Sequence, residues 1–275
     1  MLPGAANGGG MEVHGSLAAL NRLDGTTDQT RFDVWFEARY LGIQAGQTKG
    51  SLVIGSLGAD YLVTPNLLVG GFVSLDNARL TARNGAASVS GTGWLVGAYA
   101  TGRLGQNVYL DGLVAGGASK NKISPFGTYT DTVGTTRFLA SATVTGEFKS
   151  GSWTFSPRSR VAYFNERSGT YIDSLGVPIP SVANAIFDLS AGPGFSYRIE
   201  TENGTLIEPG IRFDAVARIV SSSVSGSTTS FHGRVEPRLD IRMPGGATLG
   251  IVGNYEFGRN QQSYGGSIKL SIGLN

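Results

Sequence analysis

The chain has 275 residues, a net charge of +2, 15% charged residues and 42 glycines, a charge deficit and glycine load unlike a typical soluble enzyme; its length admits one large β domain or two ordinary ones. With no basic run or aromatic platform it offers nucleic acid no electrostatic footprint, and with no cysteine it can build neither a disulfide scaffold nor a thiolate site. Nothing approaches the roughly 18 consecutive apolar residues of a membrane helix, and the longest such run, near Leu67 to Leu75, is broken by Gly70 and Gly71.

In chain order, Met1 to Gly10 is rich in Gly and Ala and has neither a basic n-region nor an apolar h-region, so it does not read as a secretory signal. Met11 to Asp24 carries the helical candidate, with Leu17, Leu20 and Leu23 near the helix repeat, Ser16 as a cap and Gly15 interrupting it. After Asp24-Gly25 and a Thr-rich spacer the strands begin. About twelve are expected, an even number as outer-membrane barrels have. They fall near 31–41, 49–63, 67–77, 88–102, 107–119, 134–149, 152–166, 184–200, 205–219, 230–243, 247–258 and 263–274. Thr64-Pro65-Asn66, Arg103 to Gln106, Ser150-Gly151, Glu202-Asn203-Gly204 and Pro244-Gly245-Gly246 are tight turns by composition. Longer joins at 42–48, 78–87, 120–133, 167–183, 220–229 and 259–262 alternate with them. Short periplasmic turns and longer outer loops give that asymmetry, and an even strand count puts both barrel ends in the periplasm.

The side-chain pattern is clearest from Asn184 to Met243. Phe187, Leu189, Phe195, Tyr197 and Ile199 alternate with Asp188, Ser190, Arg198 and Glu200; Ile207, Pro209, Ile211 and Phe213 alternate with Glu208, Arg212, Asp214 and Arg218. Val235, Pro237, Leu239, Ile241 and Met243 face away from His232, Arg234, Glu236, Arg238, Asp240 and Arg242. Successive strand residues point to opposite faces, so one face is continuously apolar and the other dense in ions of both signs. Lipid outside and water inside account for both. The seventh strand adds Trp153, Phe155, Pro157, Val161 and Tyr163 on one side and Thr154, Ser156, Arg158 and Arg160 on the other. Phe155 and Tyr163 stand about 20 Å apart along the membrane normal for a strand tilted roughly 40°, where interface girdles belong. The expected pore-lining set is Asp33, Glu37, Arg39, Asp188, Arg198, Glu208, Arg212, Asp214, Arg218, Arg234, Glu236, Arg238, Asp240 and Arg242.

With strands assigned, the chain resembles the C-terminal translocator domain of autotransporters (type V secretion), of the kind common in alphaproteobacteria. The matching segments are Arg31-Phe32-Asp33-Val34-Trp35-Phe36-Glu37, Gly58-Ala59-Asp60-Tyr61-Leu62-Val63-Thr64-Pro65, Gly91-Thr92-Gly93-Trp94, Ser124-Pro125-Phe126-Gly127-Thr128-Tyr129-Thr130-Asp131 and Ser174-Leu175-Gly176-Val177-Pro178-Ile179-Pro180, with Ile207-Glu208-Pro209 and Val235-Glu236-Pro237. The resemblance implies an all-β fold, a twelve-stranded antiparallel transmembrane barrel in the Gram-negative outer membrane, with a short N-terminal helix in its lumen. Residues 1–30 would be a residual passenger linker holding that helix (Leu17, Leu20, Leu23), and residues 31–275 the barrel. It further implies a monomer that exports a passenger absent from this chain and meets periplasmic chaperones and the barrel-assembly machinery. Such a protein needs a signal peptide, so the chain is expected to be part of a longer precursor or to carry a misplaced start. Such barrels usually finish on an aromatic residue that the assembly machinery recognises; this one keeps Ile268, Leu270, Ile272 and Leu274 but closes on Asn275, a departure from that pattern.

No catalytic, cofactor or metal site is expected. His14 and His232 share no ligand spacing. His232 as a base for one of the serines at 221–223 competes with the plainer reading of a lumen histidine among ion pairs. Gly91-Thr92-Gly93 lies inside a strand with no helix following and fails as a phosphate loop. Two rivals stand beside the translocator: a stand-alone outer-membrane pore or structural barrel, and a soluble secreted β-sandwich that binds glycans or surfaces.

Overall fold

The computed structural model describes residues 31–82, 85–259 and 261–274; the expected helix with Leu17, Leu20 and Leu23 lies outside them. The described chain is a closed antiparallel barrel of twelve strands, without a helix among the described residues. The first five strands are Phe32–Ala45, Thr48–Thr64, Leu67–Ala82, Ala87–Arg103 and Val108–Ser124. The sixth is Asp131–Gly146, continued by Phe148–Ser150. The seventh comprises Trp153–Phe155 and Arg158–Ser168, and the eighth Ala183–Gly192, Gly194–Tyr197 and Ile199–Glu200. Leu206–Ser222, Gly226–Arg242, Ala247–Gly258 and Gln261–Leu274 complete the ring. Each strand pairs with its sequence neighbours, and the last pairs with the first, from Phe32 opposite Leu274 to Ala45 opposite Gln261. Both ends of the barrel therefore lie on one rim.

Strand ends near that rim fall close to where the sequence puts them. At the opposite rim the strands run further, and most of the expected long joins vanish. Ala45 pairs with Thr48 around Gly46, whose φ of 56° suits glycine, and Ser222 pairs with Gly226. Beyond the apolar band the outward face turns polar, as at Gln44, Lys49, Arg79 and Thr81, so the contrast between faces that marked the strands is lost, but the backbone ladder needs only its own hydrogen bonds and continues. The join at 167–183 is a true excursion, holding a small hairpin of Tyr171–Ile172 against Pro178–Ile179.

The wall is irregular where strands six to eight meet. Pro157 and Pro193 have no N–H to give the ladder. Gly146 N donates to Pro157 O at 2.8 Å, and Ser156 N to Gly194 O at 2.8 Å, bridging the breaks. Such breaks bend a strand and re-aim its side chains.

The outer surface is apolar over a continuous band. Phe36, Leu57, Val96, Val114, Leu189 and Phe213 are exposed, and Leu75 is 66% exposed, more apolar surface than a soluble protein leaves open. Ile211 and Phe213 are exposed and Leu239 and Ile241 partly so, which removes the sandwich reading, since no second sheet covers them. Aromatic residues bound the band. Phe32, Tyr61, Trp153, Phe155, Phe195 and Tyr197 flank the rim of the chain ends, with Trp153 and Tyr197 edge to face at 5.0 Å. Toward the other rim, Tyr40 and Tyr264 approach to 6.4 Å and Tyr255 stacks on Phe257 at 5.9 Å. Such girdles mark membrane interfaces.

Phe213 sits near the middle of its strand on this band. Phe213→Arg is expected to lower the unfolding free energy in lipid vesicles by about 2–4 kcal/mol, with Phe213→Leu nearly neutral, as urea titration would measure. An Arg variant as stable as the Leu variant would mean that this face does not meet lipid.

Candidate functional site

The inner face holds long polar side chains whose charges meet across strands. On strands eight to eleven, Asp188 stands opposite Arg218 and takes two hydrogen bonds from it, both 2.8 Å. The guanidinium also binds Glu256 at 2.7 Å, and Arg234 reaches the other Glu256 oxygen at 2.8 Å. Arg218 is only 1% exposed, so its charge depends on these partners. Forked guanidinium–carboxylate contacts fix geometry as well as charge. Removing one member of such a buried cluster strands the rest and costs about 3–5 kcal/mol.

A second group lies at the irregular part of the wall. Arg158 donates to Asp214 at 2.6 Å and to Glu236 at 2.7 Å, while Arg212 donates to the Ser156 carbonyl at 3.0 Å. Nearer the rim of the chain ends, Ser196 donates to Glu208 at 2.6 Å and the more open Arg238 pairs with Asp240 at 2.5 Å.

The third group spans strands three to seven. Arg137 binds Asp76 at 2.7 Å and Glu166 at 3.2 Å, and Glu166 also accepts from the hydroxyls of Thr135 (2.7 Å) and Ser119 (2.8 Å). To reach Asp76, Arg137 crosses strand four at Gly93. A Cβ there would stand 2.0 Å from its Nη1, and one at Gly91 would stand 1.9 Å from Asn121 Oδ1. The Gly-Thr-Gly segment is a gap that the lumen ion pair and amide fill.

The inner wall of strands one to five is different. Trp35 Nε1 donates to Tyr99 OH at 2.7 Å, and Tyr99 OH donates to Asp60 at 2.9 Å. Around this line pack Leu68, Phe72, Leu95, Tyr109 and Leu113, and a second cluster joins Leu41, Ile43, Leu52 and Ile54. Large apolar side chains thus share the inner face of these strands with its polar residues, so the inside is not uniformly ionic. Inward glycines give the rings room: a Cβ at Gly58 would stand 2.3 Å from the Trp35 ring.

The sequence-selected ions occupy the inner faces of their strands. Asp33, Glu37, Asp188, Arg212, Asp214, Arg218, Arg234 and Glu236 are buried. Arg39 binds Glu37 at 2.9 Å, while Arg198, Glu208, Asp240 and Arg242 are half-buried. The structure adds Asp60, Asp76, Arg137, Glu166 and Glu256. Glu256 was legible, lying between outward Tyr255 and Phe257, whereas Asp76 is followed by polar Asn77 and shows no such alternation.

His232 does not pair with the serines at 221–223; its Nε2 lies 2.8 Å from Ser230 Oγ, and Ser221 meets Ser227 instead. Its Nδ1 is 3.7 Å from Glu256, beyond a hydrogen bond, and two guanidiniums already hold that carboxylate. The geometry is a charge cluster rather than an oriented acid–base pair. Among the described residues no group of three or more His, Cys, Asp or Glu side chains could hold a metal.

A closed barrel with an apolar, aromatic-girdled exterior and paired ions within is the architecture of an outer-membrane protein. The chain belongs to the autotransporter family: residues 21–265 match the autotransporter beta-domain. Its fold is similar to the beta domain of the Bordetella autotransporter BrkA, at 19% identity over 89% of this chain and 100% of that one, TM-score 0.76. The translocator domain of NalP from Neisseria meningitidis matches at 14% identity over 94% and 92%, TM-score 0.73. The transport unit of AIDA-I from Escherichia coli matches at 13% identity over 93% and 95%, TM-score 0.63. A search of curated proteins finds no match. The protein is an outer-membrane autotransporter β-domain that serves type V secretion of a passenger.

Two substitutions test the inner networks. Glu256→Gln is expected to cost about 3 kcal/mol or more, and Gly93→Val to destabilise comparably by driving Arg137 off Asp76; both are measured by urea unfolding of the refolded barrel. Losses under about 0.5 kcal/mol, the scale of an ordinary surface change, would show that the charges are solvated separately.

Proposed function

We propose that the barrel inserts as a monomer, that residues 1–30 carry the pore-helix segment with Leu17, Leu20 and Leu23, and that residues 31–275 form the translocating unit. On this reading the passenger emerges through or beside the lumen and is displayed at the surface, while periplasmic chaperones and the barrel-assembly machinery deliver and insert the barrel. The barrel itself does no covalent chemistry.

The observation that carries this reading is the two-sided lumen. Strands eight to eleven carry the Asp188–Arg218–Glu256–Arg234 cluster, whose charges already hold one another, so a passing polypeptide gains little by binding them. A greasy wall would hold each apolar side chain by about 25 cal/mol per Å² buried. Strands one to five carry the buried apolar cluster of Trp35, Leu68, Phe72 and Leu95, so the lumen has an apolar side toward which the leucine stripe of one helix would turn. Asp33, Glu37, Arg39, Arg198, Glu208, Arg238, Asp240 and Arg242 would line the path together with the buried ions.

Deletion of residues 1–30 tests it. In planar bilayers the full chain should be closed and the deleted one should conduct, whereas a stand-alone pore would conduct equally with or without the segment. Joint neutralisation of Arg212, Asp214, Arg238 and Asp240 should weaken both closure and passenger display; if both survive unchanged, these ions are not the path.

A further inference from the structure

The outer surface of strands two to seven carries five cations that neither the lumen nor the lipid band explains. Lys49, Arg79, Lys120, Lys122 and Arg167 are all exposed, and each shares the outward face of its strand. They stand toward the rim away from the chain ends, just past the apolar band: Lys49 beyond Val53, Arg79 beyond Leu75, Lys120 and Lys122 beyond Trp94's partner Ala118, and Arg167 beyond Tyr163. Among the described residues none of the five makes a salt bridge, and Arg167 spends one N–H on Ser181 Oγ at 3.4 Å. No Asp or Glu shares that described surface. Asp131, the nearest on strand six, lies on the face of buried Val133 and Thr135 and accepts from Ser174 N at 2.9 Å. On the other half of the barrel the outward strand positions at that height, Thr229, Phe231, Phe257 and Gln262, are neutral, and a single exposed cation, Arg259, stands in the turn beyond Phe257.

Arginine and lysine stems lie along apolar surface while their heads reach the polar boundary. Cations gathered there with no protein counter-charge are placed to take an anion from the membrane. The register makes the sharpest pair: Arg79 stands opposite Ser90, and Ser90 opposite Lys122. Their backbones are thus two strand spacings apart, about 10 Å, close enough for both flexible side chains to converge on one phosphate, which the planar Arg fork suits.

We propose that this face of the barrel binds the phosphorylated headgroup of a glycolipid in the leaflet at that rim, with Arg79 and Lys122 as its centre and Lys49, Lys120 and Arg167 flanking. The site is independent of how the passenger crosses, since it lies wholly outside the lumen.

The test uses the refolded full chain in neutral detergent, titrated with diphosphorylated lipid A or with the same lipid stripped of phosphate. The unaltered protein should bind the phosphorylated form at least fivefold more tightly. Binding of Arg79→Gln/Lys122→Gln should fall about 25-fold, about fivefold per cation, while Arg259→Gln should leave it unchanged. Equal affinity of the unaltered barrel for both lipids, or full binding by the double variant, would overturn the proposal. Should the double variant fail to refold, judged by heat-modifiable gel mobility, the two-lipid comparison on the unaltered barrel decides alone.

Discussion

Backbone hydrogen bonding in a medium without water is the constraint from which this architecture follows. Hydrocarbon offers no partner to an N–H or C=O, so a spanning sheet must leave no edge. The ladder from Phe32–Leu274 to Ala45–Gln261 removes the last one. Where Pro157 and Pro193 interrupt the pattern, neighbouring carbonyls and amides take up the loose ends at Gly146, Ser156 and Gly194. Closure also fixes side-chain direction, because each strand then has one face toward lipid and one toward the lumen.

That division gives the charges their form. An ion on the outer band would be unsolvated, so the ions turn inward and pair across strands: Asp188 with Arg218, Arg218 and Arg234 with Glu256, Asp76 and Glu166 with Arg137. The glycines belong to the same argument. Gly93 opens strand four to the Arg137 guanidinium, and Gly58 receives the Trp35 ring. A chain with so many glycines would make weak soluble strands, but in a ring each small residue lets a large one cross.

Period-two alternation made the ninth and tenth strands legible, with Ile211, Phe213 and Val235 outward against Arg212, Asp214, Arg234 and Glu236. It made closure and strand number legible through the turn residues. It failed where the two faces are not chemically distinct. Strands two to five bury Leu52, Ile54, Phe72 and Leu95 inside and expose Val53, Leu57, Val73 and Val96 outside, so the apolar inner wall gave no signal. Past the lipid band the outward face turns polar, and Gly42 to Ala45 and Gly226 to Thr229 read as loops although they are strand. The Asp76–Arg137 contact joins residues far apart in sequence over an intervening glycine, and only register reveals it.

The chain's three tryptophans offer the most direct test of which flank meets lipid. Trp35 is 1% exposed on the inner face, whereas Trp94 and Trp153 are 47% and 59% exposed on the outer band. Single-tryptophan variants reconstituted in vesicles of brominated phospholipid should show strong fluorescence quenching for Trp94 and Trp153 and little for Trp35. Quenching of Trp35 equal to theirs, or none for the outer pair, would contradict the account.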